Sequence, residues 1–221
     1  MGIMNVIKKG SYYTLGEELN SALSHGISTL LAIAGTVILI IFSAISNDPW
    51  KMAASITYGV SLIILFLMST LYHSLINAKA KKVFRIFDHT SIFLLIAGTY
   101  TPITLVSLRN DGAWGWSIFS IIWISAILGV VLNSISVKKF KKFSMICYLA
   151  SGWCILFAFV PIFNAIDLWG IILLLGGGIF YTTGVYFYRC KLKKHFHSIW
   201  HWFVTAGAVC HYFCVLYFII L

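Results

Sequence analysis

Long apolar runs separated by short polar punctuation occupy almost the whole chain. They fall at about 21–45, 52–75, 90–107, 114–135, 143–163, 168–188 and 197–221. A helix needs about 20 apolar residues to cross the hydrocarbon core of a bilayer, so each run predicts one crossing. A transmembrane barrel would instead show segments of about ten residues alternating between apolar and polar. The pattern therefore predicts an all-α membrane protein, a seven-transmembrane helix bundle. Residues 21–221 form its single domain and residues 1–20 a short segment ahead of it. Turn signals punctuate the runs: Asn47-Asp48-Pro49 closes the first and Arg109-Asn110-Asp111-Gly112 the third. Pro102 predicts a break or kink near the end of the third helix. Gly176-Gly177-Gly178 in the sixth marks close packing or a soft point.

Composition agrees: of 221 residues 60% are hydrophobic and only 10% charged, with a mean hydropathy of +0.93. A soluble domain carries roughly 25% charged residues. The formal net charge of +10 is distributed unevenly. The segments before the first run and after the second, fourth and sixth hold Lys8, Lys9, Lys79, Lys81, Lys82, Arg85, Lys138, Lys139, Lys141, Lys142, Arg189, Lys191, Lys193 and Lys194. These are 14 of the 16 Lys and Arg; only Lys51 and Arg109 belong to the other side. The positive-inside rule then places the N-terminus in the cytoplasm and the C-terminus outside. Such a basic face rests on anionic lipid headgroups, so membrane lipids are the expected partners and nucleic acid is not. Lys8 and Lys9 are followed by polar residues and by Glu17-Glu18, not by the apolar core of a cleavable signal. The five cysteines (147, 154, 190, 210 and 214) lie in or beside apolar runs and read as packing residues.

The chemistry is concentrated in a few polar positions. His197 and His201 stand four residues apart and share one helical face, as do Ser69 and His73. The second run ends on the cytoplasmic side while the first, third and seventh begin there, so those four ends lie at one level. Measured from the nearest basic residue with a rise of ~1.5 Å per residue, Asp88 and His197 lie roughly 4–5 Å inside the membrane edge. His73 and His201 lie about 9–10 Å inside, and His25 falls in the same layer. Six of the seven histidines and three of the six acids gather at or near this layer, leaving His211 in the outer half. His89 and His195 read as interfacial histidines, and Glu17 and Glu18 as acids favourable to the N-terminal dipole of the first helix. His73, His197, His201 and Asp88, with the Ser69 hydroxyl, make a transition-metal site with an open position. Zn2+ is the first choice of ion, although the sequence admits another divalent metal. Three neutral imidazoles leave such an ion at +2, where a bound water has a pKa of about 7. Asp88 then acts either as the fourth ligand or as the group that holds and deprotonates that water.

Three blocks resemble the bacterial hemolysin III family, the prokaryotic branch of the progestin and adipoQ receptor (PAQR) superfamily that includes the adiponectin receptors. They are Ser69-x3-His73; Asp88-His89-x-Ser91-Ile92-x3-Ile96-Ala97-Gly98-x-Tyr100-Thr101-Pro102; and His197-x3-His201 continuing to Ala208. The resemblance spans essentially the whole chain. It implies a seven-helix fold in a bacterial inner or plasma membrane, with zinc held by His73, His197 and His201. It also implies that Ser69 and Asp88 surround the metal-bound water. Near the first helix the family pattern resembles Glu-Glu-x-x-Asn-x-x-Thr-His; Glu17, Glu18, Ser24 and His25 fit it, while Ser21 stands where Asn is expected. The wider group includes alkaline ceramidases, which suggests hydrolysis of a lipid amide.

The function expected is therefore that of a membrane-embedded zinc protein with hydrolase-like chemistry on a lipid amide or ester, active in membrane lipid and fluidity homeostasis. Two readings from other classes stand beside it. One is a pore-forming cytolysin, as the family name suggests; none of the seven runs carries the continuous polar stripe a pore requires. The other is a receptor-like sensor with a structural zinc, which should be closed by four protein ligands. The substrate and the oligomeric state are not encoded in any motif of the chain.

Overall fold

The computed structural model describes residues 13–190 and 195–221. Lys8, Lys9, Lys191, Lys193 and Lys194, assigned above to the basic side, lie outside the described residues. The chain runs through α1 (Leu15–Ile45), α2 (Pro49–Ser74) and α3 (Ala78–Pro102), which continues as a π-helical turn at Ile103–Ser107. The long α4 (Trp114–Gly152) follows, then a 3-10 turn at Cys154–Ala158, the short α5 (Phe159–Ala165), α6 (Leu168–Arg189) and α7 (Phe196–Val215). A second π-helical turn, Leu216–Ile220, ends α7. Among the described residues there is no strand, and six stretches are long and apolar enough to cross a membrane. The fourth, Trp114–Ala165, has 52 residues. At ~1.5 Å per residue a straight helix of that length would span about 78 Å, more than twice the ~30 Å of bilayer hydrocarbon. Its course is broken at Ser136, whose φ of −165° and ψ of 102° are those of extended chain.

The helices start where local chemistry tells them to. Thr14 and Glu17 form a reciprocal capping box that begins α1 at Leu15, ahead of the expected position 21. Asp48 caps α2 with Pro49 in its first turn, and the Asn77 side chain accepts the N–H groups of Lys79 and Ala80 to start α3. The expected basic loop after the second crossing is therefore helix: Lys79, Lys81, Lys82 and Arg85 lie on the first turns of α3. Pro102 has no N–H to give, and the α-helical ladder changes to a π-helical turn immediately after it.

Packing reverses the usual polarity of a helix. The buried face of α1 includes Ser21, Ser24, His25, Ser28, Thr29, Thr36 and Ser43, whereas Leu23, Leu30 and Leu31 are at least 60% exposed. Apolar side chains cover the outside of the other helices too, up to 81% exposure at Phe157. In lipid such a surface costs nothing, and small inward residues let helices approach closely. The inward hydroxyls are satisfied locally: Ser28, Thr29 and Thr36 each donate to the carbonyl one turn earlier. Others bridge helices, as in Ser43–Ser55 at 2.7 Å between α1 and α2 and Ser28–Thr205 at 2.9 Å between α1 and α7. Of the triple glycine, Gly177 makes the close approach: a Cβ there would collide with the His211 ring, which is fixed by donating Nε2–H to the Leu174 carbonyl at 3.0 Å. The two cations of the opposite end are engaged as well, Lys51 with the Ile220 carbonyl at 2.6 Å and Arg109 over the Trp50 ring.

Candidate metal centre

The N-terminal ends of α1, α3 and α7 and the C-terminal end of α2 meet at one end of the bundle. His73 comes from the last turn of α2, and His197 and His201 from the first two turns of α7. Their Nε2 atoms converge: His197 lies 3.3 Å from His73 and 3.2 Å from His201. The three residues form a group whose ligand atoms all lie within 4.8 Å of one another. His73 and His201 are buried and His197 is partly so.

Carboxylates fix this arrangement from behind. Glu18 Oε2 accepts the Nδ1–H of His73 at 2.7 Å, and Glu18 Oε1 accepts from Lys81 Nζ at 2.8 Å. An ionised carboxylate only accepts, so Glu18 draws the His73 Nδ1–H to itself and turns Nε2 toward the other two rings. Glu17 holds the backbone instead: Oε2 takes Thr14 N–H and hydroxyl, and Oε1 takes the His195 N–H at 2.8 Å. His195 adopts a left-handed φ of 67° at the start of α7 and has no side-chain cap, so Glu17 supplies that terminus with its acceptor. Ser198 adds a bond to the Glu17 carbonyl, and Ser21, standing where Asn is expected, lies 3.4 Å from the Ser198 hydroxyl. Adjacent acids thus do different work. Glu17 begins the helix as expected and also ties α1 to α7, while Glu18 orients a histidine.

Aromatic neighbours complete the wall. Tyr13 stacks on His197 with ring centroids 4.1 Å apart and planes 12° from parallel. Burial raises the Tyr13 phenol well above its ordinary pKa, so it stays a neutral platform. His25 packs 4.0 Å from His201, centroid to centroid, and both its nitrogens are buried without a partner among the described residues. His89 does not reach the three histidines. Its Nδ1–H is shared between the Arg85 carbonyl at 3.0 Å and Asp88 Oδ2 at 3.2 Å. His211 lies apart from the trio, as its place in the sequence requires.

A cavity of about 440 Å³ opens beside the trio. Ser69, Asp88, His25, His197 and His201 all line it. Ser69 Oγ is buried and has no hydrogen-bond partner among the described residues. The Asp88 carboxylate is outside the close group of ligand atoms and stands in the cavity wall. A second cavity of about 110 Å³, almost wholly apolar, adjoins the first deeper in the bundle. Leu65, Ile92, Tyr148, Val185, Trp200 and Val204 line both.

The haemolysin-III related family model matches residues 13–212. The chain belongs to that family. It is similar to Hemolysin-3 of Bacillus cereus, 41% identical over 92% of each chain. It is also similar to the Hemolysin-3 homolog of Bacillus subtilis (strain 168), 40% identical over 93% of this chain and 96% of that one. The human monocyte to macrophage differentiation factor is 28% identical over 91% of this chain and 84% of that protein, a distant relation to the PAQR-type proteins. As a haemolysin-III related chain with six apolar crossing-length helices, it is a multi-pass cell-membrane protein.

The histidine geometry of this family member fits a metal ion. An ion bound tetrahedrally by imidazoles at about 2.0–2.1 Å needs ligand nitrogens about 3.3–3.4 Å apart. The two closest separations, 3.2 and 3.3 Å, match that edge. The donor set of three neutral imidazoles suits a divalent transition metal. Removal of an outer carboxylate that orients a ligand histidine typically weakens such a site about 10–100-fold. Glu18→Gln should therefore bind metal roughly 10–100-fold more weakly in equilibrium dialysis. An affinity unchanged by that substitution would detach Glu18 from the site.

Proposed function

We propose that this chain is a zinc-dependent, membrane-embedded hydrolase-like protein that cleaves a lipid amide or ester and so takes part in membrane lipid and fluidity homeostasis. The observation that carries the reading is the pairing of a three-histidine group with a cavity holding both a carboxylate, Asp88, and a buried hydroxyl, Ser69. His73, His197 and His201 would hold the ion. When bound, zinc supplies Lewis acidity that polarises an acyl carbonyl and brings the pKa of water to about 7.

The chain's own groups then carry the proton. Asp88, steadied by His89 on Oδ2, accepts a proton from water as the water oxygen bonds to the acyl carbon. The same carboxyl returns that proton to the leaving nitrogen or oxygen as the acyl bond breaks. Ser69, whose hydroxyl is buried in the same cavity wall as Asp88, donates to the developing oxyanion or orients the water. The adjoining apolar chamber supports a lipid as substrate, since it offers a dry wall beside the polar groups.

The break at Ser136 supports counting Trp114–Ala165 as two crossings, which makes seven in all and sends the ends to opposite faces. Under the positive-inside rule the metal centre then lies at the cytoplasmic end, with the N-terminus inside, the C-terminus outside and anionic lipids as surface partners. Single cysteines at Lys139 should be labelled only from the cytoplasm and at Asp111 only from outside; the reverse pattern inverts the bundle.

The names of the Bacillus relatives raise the cytolysin reading, but a polar basin that gives onto an apolar chamber favours a binding site over a conduit. A receptor with structural zinc would be closed by a fourth protein ligand, whereas the close group here has three. Asp88→Asn separates these readings, because Asn keeps size and hydrogen bonding but takes no proton at neutral pH. The variant should retain its zinc and thermal stability while lipid turnover falls by at least about 10²-fold, the usual contribution of a general base. Joint loss of metal affinity and stability would instead make Asp88 a structural ligand.

A further inference from the structure

The seam between α1 and α7 sets His25 and His201 at one height. Ser21 meets Ser198, Ser28 meets Thr205, and Tyr212 donates to the Gly35 carbonyl, at 3.4, 2.9 and 3.0 Å. Each contact follows the last by seven residues on both helices, so the two run parallel in a heptad register. His25 stands four residues after Ser21 and His201 three after Ser198, within the first repeat of that seam. Buried serines at 21, 24 and 28 let α1 approach α7 closely. The two imidazoles come to 4.0 Å between centroids, with planes 46° apart. Phe66 of α2 meets the His25 ring at 5.0 Å and 75° and so holds its plane.

Both rings hold nitrogens in reserve. His201 turns Nε2 toward His197, while its Nδ1 is buried with no hydrogen-bond partner among the described residues. His25 is only 3% exposed, and neither of its nitrogens has a partner there. Three buried ring nitrogens left unpaired in one contact are costly, and turning the two rings toward each other relieves that cost. A histidine that holds a metal through Nε2 carries its proton on Nδ1, and that N–H is almost always donated to a fixed acceptor. Glu18 is the acceptor for His73. No carboxylate takes that place at His201; the polar group lying against its ring is His25. A neutral imidazole offers one acceptor nitrogen and one N–H. The His201 carbonyl is near enough to draw on the His25 N–H, short of a well-formed bond. His201 thus presents a donor and an acceptor to a ring that carries one of each.

We propose that His25 is a positioning residue of the metal centre, which accepts the His201 Nδ1–H and fixes that ring as Glu18 fixes His73. The inference rests on the metal-binding reading of the three histidines and adds a residue to it. His25 makes no bond to the ion. The centre then has one anionic support, behind His73, and one neutral support, behind His201.

Zinc affinity by equilibrium dialysis, the thermal midpoint of the metal-free form and X-ray absorption at the zinc edge test this on the purified full chain. His25→Leu should bind zinc roughly 10–100-fold more weakly, the usual cost of losing such a support. Its metal-free form should unfold at or above the parent's temperature, because the substitution removes buried polar atoms that have no partner. His25→Asn and His25→Gln place a carboxamide oxygen near the positions of Nδ1 and Nε2, and at least one of them should recover most of the lost affinity. Affinity unchanged in His25→Leu would overturn the proposal. Affinity and metal-free stability falling together would make His25 a packing residue, and no recovery by either carboxamide would exclude an acceptor role. A fourth imidazole in the parent's zinc shell would make His25 a ligand and overturn it as well. A parent that binds no zinc, or a His201→Ala variant that binds it equally, would remove the metal reading itself and this role with it.

Discussion

Three imidazoles held with their Nε2 atoms 3.2 and 3.3 Å apart inside an apolar bundle form a group that could hold a metal ion. Much else at this end of the molecule follows from keeping the rings there. The fourfold spacing on α7 supplies two of them from one face, and the end of α2 brings the third. Glu18 turns the His73 ring by taking its Nδ1 proton, and Lys81 holds Glu18 in turn. Tyr13 closes over His197. Glu17 stitches the start of α1 to the start of α7, so two helix ends that have no covalent neighbour keep their relative height.

The bundle tolerates this polar load because it is built with its amphipathicity inverted. Many serines and threonines face inward, where they donate to a carbonyl one turn back or meet a hydroxyl on the next helix, and many leucines, isoleucines and phenylalanines lie on the outside. The small inward residues allow the close approaches that hold the helices at the right separation, as where Tyr212 donates to the Gly35 carbonyl at 3.0 Å. Such packing leaves room at the histidine end for a cavity with charged and polar walls that adjoins a smaller, almost wholly apolar one.

The histidine group was legible in the sequence because basic residues on either side of each apolar run act as depth marks. Counting from Lys79 and Lys194 puts His73 and His201 at one level before any contact is known. Glu18 was not legible in its role: an acid in the first turn of a helix already has a reason to be there, and Glu17 beside it does serve that reason. The start of α3 was hidden by its charge, since Lys79–Arg85 reads as a loop until Asn77 is seen capping it. The break at Ser136 falls where the sequence separates the fourth and fifth apolar runs with the lysines of 138–142, although no proline or glycine announces it. Cavities belong to the spacing between helices and leave no periodic signal, so neither the basin nor the chamber was expected from the chain alone.

The central claim is that His73, His197 and His201 share one metal ion with an open side toward the cavity. X-ray absorption at the zinc edge of the purified protein reads the coordination shell directly. The account predicts three imidazole nitrogens and one further light atom at about 2.0–2.1 Å, with no sulfur. A shell containing a sulfur scatterer at about 2.3 Å, or the same shell in His201→Ala as in the parent, would contradict it.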